Sequence, residues 1–580
     1  MDVKDKKAFE KIVGEKWVCD DPAMMDTYAF YMNPEILNKD GSRWLPRPAA
    51  VIMPETTEEV SGIMKLCNQL DYMAKPISTG FHCVAAASNE KVIVLDLKRM
   101  NRIVEIDVKN QIAVVEPYVK AINLQTILWK EGLNLHVVSC GGNHSPLAST
   151  TSAWGTGLDG PSMSYSGRNL LGAEWVLPTG DILTLGSAGD GTGAGWFTAD
   201  GAGPSLRGIM RGYMGAFGGL GVFTKAAIKL YKWDGPKSIE VQGGCPRYQL
   251  AQDLPPNMGL FAVSFPSQQA LADAGYKMGE CEITYADFRL PAFYTAMGTT
   301  DENYELKRIW QSGMVQKIAK FNMIVAIIGC SQREFDWKYQ AFKEILAETR
   351  GVILPVNQQP RAGQMEIAGK LMKFIDDPLG LFRKFPSLQG LIQKMPGGKA
   401  QKRRAISELF WVLLRNANNT QGNFRPSQAM ATSLGTFDTW DLGLNQGEWI
   451  AKRKQEYIRQ GLFLDDGGDL GCGGTFEHCH MGYLEGIIMY SSKNPKSVMA
   501  AGKVIGEAVE ACIDKSFGIP IAGFGSEMNA KLGPHCGNYH QWMAKIKKAL
   551  DPNLASDPFF YSHHPADEKG DDHTPREDDK

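Results

Sequence analysis

The residues best equipped for chemistry lie late in the chain. Cys472-Gly-Gly-Thr-Phe-Glu-His-Cys-His-Met-Gly-Tyr483 brings His478, His480 and Tyr483 close together, with Glu485 and Tyr490 beyond them. Imidazole and phenol groups can take the proton of a substrate hydroxyl while a neighbouring C–H bond is oxidised. On a strand, two-residue spacing puts His478 and His480 on one face and turns Cys479 away. The same pattern would also serve as satisfied histidines bracing a loop. A metal reading has no zinc-type spacing behind it, and no metal is expected. A second cluster, Gly533-Pro-His-Cys-Gly-Asn-Tyr-His540, either brings His535, Asn538 or Tyr539 to the same site or forms a turn before the last helix.

Three glycine- and hydroxyl-rich stretches could hold a ligand. Ser78, Thr79, Gly80, Phe81, His82 and Cys83 follow an extended run and precede small residues. Successive N–H groups of such a turn can cradle a pyrophosphate, although a plain tight turn fits the same residues. In the second stretch, Pro146, Ser149, Ser152, Gly155 and Gly157 alternate hydroxyls and glycines in a segment too polar for a core. That composition suits a flat polar heterocycle or a phosphate. Gly155-Thr-Gly-Leu-Asp-Gly160 matches a dinucleotide fingerprint, but no β-branched strand leads into it and Pro161 stands where a helix should open, so a Rossmann site is rejected. The third stretch runs to Gly221 and Val222 before a strand-like segment, and its glycines suggest close approach of backbone to a ligand.

The elements that must position these groups can be read from periodicity. Residues 49–54 form a short apolar run ended by Pro54, and Thr56-Thr-Glu-Glu59 has the spacing of a capping box. Val60, Ile63, Met64 and Cys67 then share one helical face, and 73–77 resumes an extended pattern. Runs at 91–96, 102–107 and 111–116 are β-rich with no room for helices between them, which favours α+β. We expect 1–236 as a first domain and 237–519 as a second, substrate-binding one. Residues 520–565 should return to the first domain, and the charged tail 566–580 should be disordered. The basic, leucine-rich stretch 376–404 reads as a solvated amphipathic face, with a membrane or partner patch as the alternative.

Bulk properties narrow the functions. A chain of 580 residues should fold as more than one unit, with room for a cleft. A formal charge of -2 provides no field for nucleic acid. No run reaches the roughly 18 apolar residues of a membrane span, the apolar run 323–330 being far too short and reading as a buried strand, and the polar N-terminus lacks a secretory core. Eleven scattered cysteines suit reduced thiols in a cytoplasm.

Residues 48–54, the turn 78–83, Val92-Ile-Val-Leu-Asp-Leu-Lys-Arg-Met-Asn-Arg-Ile103, Ala113-Val-Val-Glu-Pro117, Leu170-Leu-Gly-Ala-Glu-Trp-Val-Leu-Pro-Thr-Gly-Asp181 and Gly218-Gly-Leu-Gly-Val-Phe-Thr224 follow one another as motifs of a known kind. Together they resemble the FAD-binding domain of the vanillyl-alcohol oxidase and p-cresol methylhydroxylase family. Trp542-Met-Ala-Lys-Ile-Lys-Lys-Ala-Leu-Asp-Pro-Asn553 is similar to that family's closing segment. The resemblance implies a split FAD-binding domain of the p-cresol methylhydroxylase type with an α/β substrate (cap) domain. FAD would be held by the 78–83 turn, the 146–157 segment, and the backbone of Gly221 and Val222. His82 is a candidate for a covalent tether, which some relatives have and others lack. The implied activity is hydride transfer from a small alcohol, hydroxy acid or phenolic substrate to flavin N5, with His480 or Tyr483 handling the proton. Electrons would pass to a separate acceptor or to oxygen, and a homo-oligomer is expected. His478-Cys-His480 also resembles a segment of the family's redox-neutral member, alkyldihydroxyacetonephosphate synthase. A redox-neutral reaction is therefore the alternative, and a flavin-binding subunit without chemistry is a third reading.

Overall fold

The computed structural model describes residues 1–29, 33–37, 45–80, 87–139, 141–152, 155–186, 205–212, 215–244, 248–297, 302–354, 378–384, 406–415, 429–520 and 526–557. The expectations for Phe81, His82 and Cys83, for most of 376–404 and for 566–580 fall outside the described residues.

The first layer begins with strand Ala50–Ile52, fully buried. Helix Thr57–Leu70 follows where the capping spacing placed it: Thr56 accepts from the Glu59 N–H at 3.1 Å, and the Glu59 carboxylate accepts from the Glu55 N–H at 2.6 Å. Val60, Ile63, Met64 and Cys67 are fully enclosed by this packing. Asp71 ends the helix in the left-handed region, and strand Met73–Ile77 runs parallel to Val92–Asp96, which is itself parallel to Ala50–Ile52. Residues near the end of the chain then dock along the free side of Met73–Ile77. The Ala74 N–H donates to Ala555 O, and the Asp557 N–H donates to Ala74 O. Buried Lys547 secures this return through Gly219 O at 2.6 Å and Ser556 O at 2.9 Å, with Asp551 as its counter-ion.

The second layer is an antiparallel sheet in the order Ile103–Asp107, Ile112–Val115, Val222–Lys229, Leu170–Val176, Ile182–Leu185. Its core includes Trp175 and Phe223, stacked 5.0 Å apart. Helix Thr57–Leu70 joins the layers, since Thr57 donates to Glu174 at 2.5 Å and Ser61 to Gly180 O at 2.6 Å.

The middle of the chain builds two further antiparallel sheets. In one, Met258–Ser264 pairs along its length with Asn322–Ile328, flanked by Ala286–Phe288 and Val352–Leu354. The run 323–330 is thus the buried strand its composition suggested. In the other, Cys472–Phe476 and Met481–Tyr490 form a hairpin whose long strand also pairs with Ala429–Leu434. An Arg289–Gly473 bridge links the two sheets. Alternation along the long hairpin strand sends Leu484 and Gly486 against helix Trp440–Arg459, where a Cβ on Gly486 would lie 2.7 Å from Ile450. Tyr483 and Glu485 therefore occupy the opposite face. The whole is α+β, as expected. Among the described residues, no helix is long and apolar enough to cross a membrane.

Candidate active site

Residues 155–162 lie where the first half of the chain meets the middle. The Ser139 N–H donates to Thr156 O, and Val138 bridges Gly157. Beneath this ladder His136 is fully enclosed between two acceptors, with Nδ1 2.6 Å from Asp159 Oδ1 and Nε2 3.2 Å from Gly155 O. The second Asp159 oxygen accepts from the Val137 N–H at 3.1 Å. Burial alone would strip the proton from His136, but the Asp159 carboxylate and the Gly155 carbonyl outweigh it, and the histidine pKa is raised. On the other side, the Asp287 N–H donates to Leu158 O at 3.0 Å. The Asp287 carboxylate accepts from the Thr475 N–H at 2.8 Å and its hydroxyl at 2.6 Å. Burial pushes that carboxyl up to about 6 despite both hydrogen bonds.

The short helix Gly160–Met163 continues from Asp159. Pro161 does not prevent it, because proline at the first turn needs no N–H partner. Gly160 O and Pro161 O accept from the N–H groups of Glu477 and His478. Here the strand expectation for the two histidines is corrected. Glu477, His478 and Cys479 have φ of 48°, 53° and 66°, so residues 477–480 form the turn of the hairpin, and alternation does not apply. Cys479 is buried against helix Gln268–Glu280, while His480 is exposed. Ser164 Oγ at 2.7 Å and Arg168 Nε at 3.2 Å hold the Glu477 carboxylate and fix the turn.

His480 lines a cleft of about 380 Å³ together with Tyr165, Phe437, Asp438, Thr439 and Met481. The Phe437 ring lies 5.1 Å from Tyr165 and 5.3 Å from Tyr483, so the phenol of Tyr483 packs behind the cleft wall. Tyr483 is 3% exposed, and its hydroxyl donates to Glu485 Oε2 at 2.7 Å. Burial holds Glu485 above the ordinary carboxylate range against the opposing pull of that hydroxyl. The structure thus brings Tyr483 to Glu485 and leaves His478 and His480 in the turn at one end of the strand.

Ser78, Thr79 and Gly80 sit at the carboxyl end of strand Met73–Ile77, with Gly80 at φ 66°. Pro146, Ser149 and Ser152 belong to helix Pro146–Thr151 and its C-cap, where the Ser149 hydroxyl donates to Pro146 O at 3.1 Å. Two of the glycines expected to approach a ligand also lie close against the chain. A Cβ on Gly157 would lie 2.3 Å from His136 Cε1, and one on Gly221 would lie 2.2 Å from Val176 O. The Gly221 N–H donates to Ser556 Oγ at 2.9 Å, and Val222 pairs with Val176 in the sheet. Sequence reasoning missed His136, Asp159 and Asp287 and gave Glu485 no role. Only Glu485 had a usable signal, its two-residue spacing from Tyr483 on a strand.

Residues 48–186 match an FAD binding domain. The glycolate oxidase subunit GlcD of Bacillus subtilis is 30% identical over 191 residues, 32% of this chain and 37% of that protein, so the match spans little more than a third of that relative. The structure of p-cresol methylhydroxylase with substrate bound superposes with a TM-score of 0.62 at 17% identity, covering 95% of each chain. That of 4-ethylphenol oxidase from Gulosibacter chungangensis reaches 0.66 at 17% identity, covering 96% of each. The fold is that of the p-cresol methylhydroxylase type, an FAD-binding domain joined to a second domain. Within that fold, residues 48–186 form the FAD-binding domain.

The residues present fit such a cofactor. Ser166 Oγ is buried without a hydrogen-bond partner among the described residues, packed so closely on Gly155 that a Cβ there would lie 1.9 Å from that oxygen. A buried hydroxyl left in this way calls for a polar partner.

Proposed function

We propose that the chain is an FAD-dependent oxidoreductase that removes hydride from a small alcohol, hydroxy acid or phenolic substrate. The observation that carries this reading is the enclosed Tyr483–Glu485 pair, set behind an aromatic cleft on the sheet that faces away from helix Trp440–Arg459. Bound FAD supplies the hydride acceptor. The 78–83 turn, the 146–157 segment and Ser166 would hold it, with His82 available for a covalent tether. Tyr165, Phe437 and Met481 exclude water from the cleft and orient the substrate. Tyr483 receives the substrate hydroxyl proton as its own passes to ionised Glu485, so no charge is stranded in the buried strand. His480 stands at the cleft, where it can exchange that proton with solvent.

Electrons leave to a separate acceptor or to oxygen, and the chain works as a homo-oligomer in the cytoplasm. Cys19, Cys67, Cys281, Cys330, Cys479, Cys512 and Cys536 are free thiols, in keeping with a reducing compartment. Anaerobic mixing with a panel of small hydroxy acids, alcohols and phenols should bleach the flavin absorbance. Tyr483→Phe should slow bleaching by about 10²–10⁴-fold while FAD remains bound. Bleaching at the native rate in that variant removes Tyr483 from the reaction. Substrate conversion with no bleaching shows a redox-neutral enzyme instead. Acid precipitation decides the tether, since yellow colour stays with the polypeptide only if the bond to FAD is covalent.

A further inference from the structure

Neither ring nitrogen of His136 faces a group that could donate to it. Nδ1 meets a carboxylate oxygen at 2.6 Å, and Nε2 meets the Gly155 carbonyl at 3.2 Å. The carbonyl has no proton to give and a carboxylate has none either, so with Asp159 as the carboxylate both nitrogens carry one, and only the imidazolium has two N–H groups. Asp159 completes its own set with the Val137 N–H. Tyr231 and Tyr285 lie within the field of Asp159 but direct their hydroxyls elsewhere: Tyr231 donates to Asn169 Oδ1 at 2.6 Å, and Tyr285 accepts from Asn134 Nδ2 at 2.9 Å. Among the described residues, Asp159 is the charged group that bears on the ring.

This pair is tied to two functional segments. Through Gly155 O it holds the stretch assigned above to FAD, and Gly157 is confined against the ring itself. Through Asp159 it fixes the start of Gly160–Met163, where the Met163 N–H donates to Asp159 O at 2.8 Å. The carbonyls of Gly160 and Pro161 then carry the 477–480 turn by its N–H groups at 3.1 and 3.0 Å. Three consecutive left-handed residues would not hold that turn unaided.

We infer that His136 is a positioning residue, a buried imidazolium that sets the glycine segment of the FAD cradle and, through Asp159, the turn that presents His480. The inference rests on the functional reading above for what those two segments do. It stands on its own for the charge of the ring. A fixed cation in the cradle also favours the reduced, more negative flavin, so its removal lowers the midpoint potential.

Side-chain nitrogen NMR of the full chain labelled at histidine tests the charge. Of the ten histidines, at least one ring should remain an imidazolium at about pH 8, well above the ordinary histidine range. His136→Gln, whose single amide nitrogen cannot reach acceptors on opposite sides, should lose that signal. It should also bind FAD about tenfold more weakly, and at a lower midpoint potential. All ten rings neutral at that pH would overturn the inference. So would a His136→Gln protein with native FAD affinity and potential. If the variant does not fold, the native spectrum alone decides the question. A native chain that takes up no FAD defeats the functional reading, and the ring spectrum of that same protein still reports on His136.

Discussion

Asp159 and Asp287 flank the same few residues of backbone, one lying on the 155–160 segment and the other held against it through Leu158 O, yet burial acts on them under opposite conditions. Asp159 faces a ring that carries positive charge, and the pair keeps its ions out of water by satisfying one another. Asp287 faces only the neutral N–H and hydroxyl of Thr475, and its carboxyl is pushed up to about 6. Glu485, whose partner is the neutral Tyr483 hydroxyl, is likewise held above the ordinary carboxylate range. Hydrogen bonds from neutral donors soften the burial of a carboxylate, but a counter-charge is needed to cancel it. The half of the site next to the FAD segment is therefore a fixed ion pair. The half contributed by the middle of the chain contains carboxyls that burial holds above the ordinary carboxylate range, which is what a proton-handling wall requires.

The comparison breaks most sharply at Asp159. Asp159→Ala leaves a buried imidazole without its counter-ion and should cost about 3–5 kcal/mol in urea unfolding. Because the His136 pKa is raised in the folded state, the pair's contribution is fully present below the ordinary histidine value and is lost as pH rises through the folded one. The penalty should therefore be largest in mild acid and shrink toward alkaline pH. A penalty that does not vary with pH would show that no proton is held there.

Asp287→Asn tests the opposite half. Between the usual value of 3.8 and the folded value of about 6, the native state keeps a proton that the unfolded chain has released. Native stability should thus fall as pH rises across that window and level off above it. The amide has no proton to lose. Relative to the native protein, the variant should gain up to about 3 kcal/mol between pH 4 and pH 7, at roughly 1.4 kcal/mol per pH unit. Parallel stability curves for the two proteins would mean that Asp287 titrates normally.

Much of the scaffold was legible because its signals are local. The capping spacing at Thr56, the apolar stripe from Val60 to Cys67 and the run 323–330 each depend on neighbours in sequence, and each became the element expected. The site was legible only in part. Tyr483 stood out by residue type, but nothing nearby in sequence reveals that His136 would meet Asp159 or that Asp287 would meet Thr475, pairs 23 and 188 residues apart. The glycines carry a related ambiguity. Gly157 and Gly221 are small because other parts of the chain, His136 Cε1 and Val176 O, occupy the space, and sequence cannot distinguish a close protein neighbour from a ligand. His478 and His480 were read as strand residues because the β-like pattern continues through them. The hairpin turns there instead, using backbone anchors on Gly160 and Pro161 that lie far away in sequence.

The finest test removes only one of the two donors to Asp287. Thr475→Val keeps the N–H bond and the side-chain volume but deletes the hydroxyl, 2.6 Å from Oδ2. That hydroxyl favours the ionised carboxyl, so its loss should move the Asp287 transition further above about 6. The stability cost should be about 1 kcal/mol near pH 8, where the carboxylate has lost a donor, and smaller near pH 5, where the proton is retained. Thr475→Ser restores the hydroxyl without the methyl group and should recover the native transition while leaving a packing deficit that does not depend on pH. If valine and serine shift the transition alike, the hydroxyl has no hold on Asp287. The contrast with Asp159 would then rest on burial alone.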